Sequence, residues 1–91
     1  MGADYTIKVQ KEVDSEEWVE VGLRKMDEPT WMAAAKLIDS GRELDAVRMI
    51  INTLAVEGNP KDITDNFHYV RGALSSIREF IQPLASELKK N

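Results

Sequence analysis

The sequence predicts a small α+β domain in which an N-terminal antiparallel β-hairpin is followed by three helices. Three observations point there. Apolar and polar residues alternate over two short stretches near the N-terminus, apolar residues recur every three or four positions over the rest of the chain, and glycine and proline punctuate the boundaries. A chain of 91 residues has room for one modest core, so a single domain over 1–91 is expected. Its 43% hydrophobic and 31% charged residues are the balance of a folded chain rather than a disordered one.

The hairpin is expected over about residues 4–25. Tyr5, Ile7 and Val9 alternate with Thr6, Lys8 and Gln10, and Val19, Val21 and Leu23 alternate with Glu20, Gly22 and Arg24. This is the period of half-buried strands. Asp14-Ser15-Glu16 supplies a polar turn between them. Both apolar sets occupy odd positions, so they share a face only if paired residue numbers sum to an even value. Val9 with Val21 and Ile7 with Leu23 is such a register, and it requires a loop of odd length, expected at about three or five residues.

The first helix is expected over about 28–40. Asp27-Glu28-Pro29-Thr30 starts it, with a carboxylate able to cap free N–H groups and a proline in the first turn where its missing N–H costs nothing, and Gly41 ends it. Its inward residues by spacing are Trp31, Ala35 and Ile38. The second helix, about 43–57, carries the stripe Leu44, Val47, Ile50, Ile51 and Leu54 and is broken by Gly58-Asn59-Pro60. The third, about 65–90, is capped by Thr64 or Asp65. Phe67, Val70, Leu74, Ile77, Ile81, Leu84 and Leu88 follow one another at spacings of three and four, a heptad seam with Pro83 inside it. Proline there removes a hydrogen bond and clashes with the carbonyl of Glu79, so a bend or break is expected near Gln82. The expected core is Trp31, Ile38, Val47, Ile51, Leu54, Phe67, Val70, Leu74 and Ile77.

Composition narrows the function. A net charge of −4 and basic residues scattered without a stripe argue against nucleic acid. The longest apolar stretch, Trp31 to Ala35, is far too short to span a bilayer, and no basic segment precedes an apolar run near the N-terminus. No membrane partner is expected, and the protein is expected to stay where it is made. With no cysteine there is neither a disulfide framework nor a thiolate metal site. Gly2 and Thr6 formally fit an N-myristoylation pattern, but no polybasic segment adds the second signal that a single acyl chain needs.

The search for chemistry yields little. His68 is the only histidine, and Asp65 three residues before it has the spacing to orient an imidazole, yet no nucleophile or second ligand accompanies the pair. Asp62, Thr64 and Asp65 lack the glycine and terminal glutamate of a calcium loop and read as capping residues. Glu12, Asp14, Glu16, Glu17 and Glu20 could attract a cation or a basic partner but read more simply as a solvated hairpin tip. Neither catalysis, a cofactor nor a metal is expected. Trp18 stands apart. It falls on the face of Glu20 and Arg24, opposite the core set, where it is either an interface anchor or folds over the hairpin end beside Val13.

The order of elements resembles the small tail-assembly chaperones of tailed phages and prophages. The stretches that carry the resemblance are Val21-Gly22-Leu23-Arg24-Lys25-Met26-Asp27, Trp31-Met32-Ala33-Ala34-Ala35-Lys36-Leu37 and Asp45-Ala46-Val47-Arg48-Met49-Ile50-Ile51-Asn52-Thr53. The last is Ala73 to Lys90, ending in Glu87-Leu88-Lys89-Lys90. Met26 stands where the family pattern has proline, and Gly58-Asn59-Pro60-Lys61-Asp62 replaces a glycine–acidic turn. The resemblance implies a non-enzymatic, cytoplasmic protein of a bacterial host that shields a helical tape-measure protein while the tail assembles. A structural or adaptor subunit of a phage-like or other bacterial assembly, or an acidic secretion chaperone, is the alternative.

The lengths of the helices locate an expected binding surface. From Phe67 to Leu88 the seam spans about 33 Å if helical throughout, whereas the two earlier helices reach only about 20 Å each. Its C-terminal end then outruns the available cover, leaving Ile81, Leu84 and Leu88 as an apolar strip for a partner or a second copy. The alternative is that Pro83 folds the tail back onto the hairpin.

Overall fold

The computed structural model describes residues 2–81 and 86–90. In chain order the elements are β1 (Tyr5–Gln10), β2 (Trp18–Leu23), α1 (Glu28–Asp39), α2 (Glu43–Leu54), β3 (Ala55–Glu57), α3 (Lys61–Thr64) and α4 (Phe67–Phe80). The fold is α+β, an N-terminal antiparallel hairpin followed by helices of which the last is the longest. The strands form one sheet in the order β1-β2-β3, antiparallel throughout.

The hairpin follows its alternation. Ile7, Val9, Val21 and Leu23 are buried on one face, while Thr6, Lys8, Trp18 and Glu20 are exposed on the other. The register pairs Tyr5 with Leu23, Ile7 with Val21 and Val9 with Val19. Paired numbers sum to an even value, as the shared apolar face requires, but each pair lies two residues from the expected one. The turn is centred on Asp14, one residue before the expected centre at Ser15, and this sets the offset. The loop runs from Lys11 to Glu17 between the paired residues Gln10 and Trp18, odd in length but longer than expected. Its shape depends on Asp14 at φ 61, with Ser15 N–H donating to the Glu12 carbonyl. Aspartate is one of the few residues that tolerates such a φ.

Asp27 caps α1, its carboxylate accepting the Thr30 N–H at 2.8 Å, and Pro29 lies in the first turn. The helix ends as expected, with Gly41 at φ 75 and Arg42 N–H donating to the Leu37 carbonyl. Its inward face is rotated by one residue from the expected stripe. Thr30 and Ala34 are buried, whereas Trp31 is 42% exposed. Because α1 packs chiefly on α2, the small side chains turn inward and the indole is left outside.

The second helix stops at Leu54 rather than near residue 57, and the chain straightens into β3. Arg24 N–H donates to the Leu54 carbonyl at 2.9 Å, and Leu23 and Gly22 pair with Ala55 and Glu57 across an irregular register. The free edge of β2 thus competes successfully for backbone that helical spacing alone would have continued, helped by the β-branched Val56.

The expected third helix is two. Pro60 opens the short α3, and Asn66, not Thr64 or Asp65, caps α4 by accepting the N–H groups of His68 and Tyr69. Thr64 is buried instead, its hydroxyl donating to the Asn52 side-chain oxygen at 3.3 Å, which ties α3 to α2. In α4, Val70, Ala73 and Ile77 are buried, Leu74 is partly buried, as is Ile81 just after the helix, and Phe67 is 50% exposed. Phe67 opens the helix directly after the Asn66 cap and is not core; its ring lies beside the Arg71 guanidinium and the His68 ring. The helix ends at Phe80, and residues 86–90 have no regular structure. The expected kink at Pro83 lies outside the described residues.

The core is one layer between the sheet and the helices. Leu23, Ile50, Ile51, Leu54, Ile63 and Val70 are wholly excluded from solvent, and α4 packs along β1 while α2 and α3 pack on β2. Val47, Ile51, Leu54, Val70 and Ile77 of the expected core lie within it, with Ile38 and Leu74 at its margin.

Candidate functional site

Trp18 and the strip of Ile81, Leu84 and Leu88 were the candidates for binding, and the structure treats them differently. Trp18 lies on the uncovered face of the sheet, 46% exposed, with the Lys8 ammonium 5.7 Å from its ring centre. It does not shelter against Val13, which is itself almost fully exposed. Ile81, by contrast, the residue that follows α4, is partly buried against the core. Leu88 is fully exposed on non-helical chain, and Leu84 lies outside the described residues. The helical strip is shorter than the length argument requires: α4 has 14 residues against 12 for α1 and α2, so it outruns them by only about half a turn.

The sequence reading missed a surface on α1. Trp31 and Met32, 42% and 54% exposed, stand beside exposed Ala33 and half-buried Ala35. The signal was present in the run Trp31 to Ala35, since a helix that is apolar on more than one side but has one packing partner must leave apolar surface uncovered.

A third surface is the groove between β1 and α4. It is lined by Lys8, Val9, Gln10 and Lys11 from the strand side and by His68, Tyr69, Gly72, Ser75 and Ser76 from the helix. His68 is exposed in the first turn of α4, its backbone N–H held by the Asn66 cap. A methyl group at Gly72 would approach Val9 Cγ1 to 2.9 Å, so the helix presses on the strand at that level.

The polar groups have structural partners. Hydrogen bonds from Thr30, followed by the Arg24 guanidinium at 2.6 Å, hold the Asp27 carboxyl down at about 2. Arg78 grips Glu43 through two bonds of 2.7 and 3.2 Å, linking α4 to α2, and lowers the carboxyl below its usual range. The acidic hairpin residues are partly used in the same way, Glu17 by Lys11 at 3.3 Å and Glu20 by Lys8 at 3.5 Å. Among the described residues no cluster of three or more histidine or acidic side chains is arranged to hold a metal ion, and no helix is long and apolar enough to cross a membrane. No family model, curated protein or solved structure matches the chain.

Proposed function

We propose that this chain is a non-catalytic protein-binding domain that shields a helical client, in the manner of the tail-assembly chaperones its sequence pattern resembles. The observation that carries the reading is the exposed apolar face of α1. Trp31 and Met32 stand uncovered beside small alanines, and an amphipathic client helix docks on such a combination of large anchors and close backbone approach. Tryptophan is the residue type most enriched at the energetic centre of interfaces. A tape-measure protein is a fitting client, being long and helical, with apolar faces that need cover before the tail closes around it.

The test is co-expression with the tape-measure protein of the same phage or prophage, measuring soluble client and complex by size-exclusion chromatography. The wild type is expected to hold the client in solution. Trp31→Glu/Met32→Glu, folded by circular dichroism, is expected to weaken capture by about 30-fold or more, the loss of one hot spot. Failure of the wild type to capture the client sinks the chaperone reading. Unchanged capture by the folded variant sinks the assignment of α1 as the docking face.

A further inference from the structure

Among the described residues the outer side of β1 carries no strand, since the sheet order is β1-β2-β3. The direction of its backbone groups follows from the register. Lys11 N–H donates to the Glu17 carbonyl, so the odd residues of β1 point at β2, and Arg24 N–H donates to the Leu54 carbonyl, so the even residues of β2 point at β3. Alternation then directs the N–H and C=O of Thr6, Lys8 and Gln10 outward, away from the sheet. Each offers one donor and one acceptor, and among the described residues no backbone hydrogen bond from outside the strands reaches them.

This edge is also one wall of the groove whose other wall is α4. The helix shows small side chains there, Gly72, Ser75 and Ser76, beside Tyr69. We infer that the outer edge of β1 accepts an extended segment of a partner protein as an added antiparallel strand, with apolar side chains two residues apart seated along α4 and an acidic residue between them facing Lys8.

The pattern follows from strand geometry. A residue paired with Lys8 turns its side chain to the uncovered face, and its two neighbours, opposite Ile7 and Val9, turn theirs toward the flank of α4. Ser75 and Ser76 keep that flank low beside them, while at Gly72 the helix already touches Val9. Lys8 and Lys11 stand on this edge with Glu12 beside them in the groove, and their own partners Glu20 and Glu17 are more than half exposed. Such exposed pairs are worth little, so a carboxylate on the added strand competes for Lys8. A second copy fits the edge worse. Twofold pairing of the whole edge sets Lys8 directly against Lys8, and like charges in that position destabilise the pair. This surface is distinct from the face of α1, and its occupant is an extended segment rather than a helix.

The probe is a fluorescein-labelled, end-blocked peptide, Thr-Val-Glu-Val-Thr, titrated by fluorescence anisotropy with the whole protein. Saturable binding is expected, weakened about tenfold when the central peptide N–H is methylated, which removes a strand hydrogen bond without changing any side chain. Lys8→Pro, which removes one outward N–H at a position where an edge strand tolerates proline, is expected to weaken it to a similar degree. Lys8→Glu is expected to prefer the peptide with lysine at its centre. If Lys8→Pro does not fold, the methylated peptide alone carries the test. No saturable binding at millimolar peptide, or binding indifferent to the methylation, overturns the inference. Sedimentation showing a wild-type dimer that Lys8→Pro dissociates also overturns it, by assigning the edge to a second copy.

Discussion

Gly41 and Gly58 share one backbone conformation, φ 75 and φ 76, but not one environment. A Cβ on Gly41 meets nothing within 4 Å, whereas a Cβ on Gly58 comes within 3.0 Å of the Glu20 carbonyl oxygen in β2. Substituting alanine at each therefore separates the cost of the left-handed backbone from the cost of crowding. The backbone term is about 1–2 kcal/mol, partly offset by the reduced freedom of the unfolded chain, so Gly41→Ala is expected to destabilise by about 1 kcal/mol. At Gly58 the crowding atom belongs to the backbone, and relief requires the turn after β3 to move away from β2, adding about 1–3 kcal/mol. Gly58→Ala is expected to cost about 2–4 kcal/mol in all. For a domain of this size each kcal/mol lowers Tm by about 4–8 °C. Thermal and urea denaturation followed by far-UV circular dichroism measure both variants. Equal losses at the two sites would refute the reasoning, because the approach of Gly58 to Glu20, and with it the seating of β3 on β2, would then contribute nothing.

Ile51, wholly buried in α2, is expected to cost about 2–5 kcal/mol on replacement by alanine, and more than Trp31→Ala; the reverse ranking of urea midpoints would put Trp31 in the core. Asp27 binds its proton less tightly folded than unfolded, about 2 against an ordinary 3.8, so its contribution is present at neutral pH and lost as pH falls through that window. Asp27→Asn, which retains a cap acceptor, is expected to flatten the fall in urea midpoint between those pH values, and an unchanged acid slope would count against the Thr30 and Arg24 bonds. His68→Ala is expected to change stability by less than about 0.5 kcal/mol, as for an exposed residue; a larger drop in urea midpoint would reveal a structural role for the ring.

What the sequence alone determined is whatever depends on local chemistry. Alternation at Tyr5 to Val9 and Val19 to Leu23 determined two strands with one shared apolar face, and hence the parity of their register. Asp27, Pro29 and Gly41 bounded α1 because capping, fixed φ and positive φ are properties of single residues. The stripe from Val47 to Leu54 identified the buried face of α2. The tertiary structure alone decided the quantities that involve a second element. The free edge of β2 drew Ala55–Glu57 out of the helix, and a three-residue strand carries too little pattern to be read in isolation. Which side of α1 turned inward depended on how closely α2 approached, so Thr30 and Ala34 were buried and Trp31 was left for solvent or a partner. The same holds for the candidate binding surfaces: spacing marked Trp18 as facing away from the core, but the groove beside β1 exists only because α4 folds back along that strand. A periodic pattern states that a face is apolar, and only the packing of distant segments states whether anything covers it.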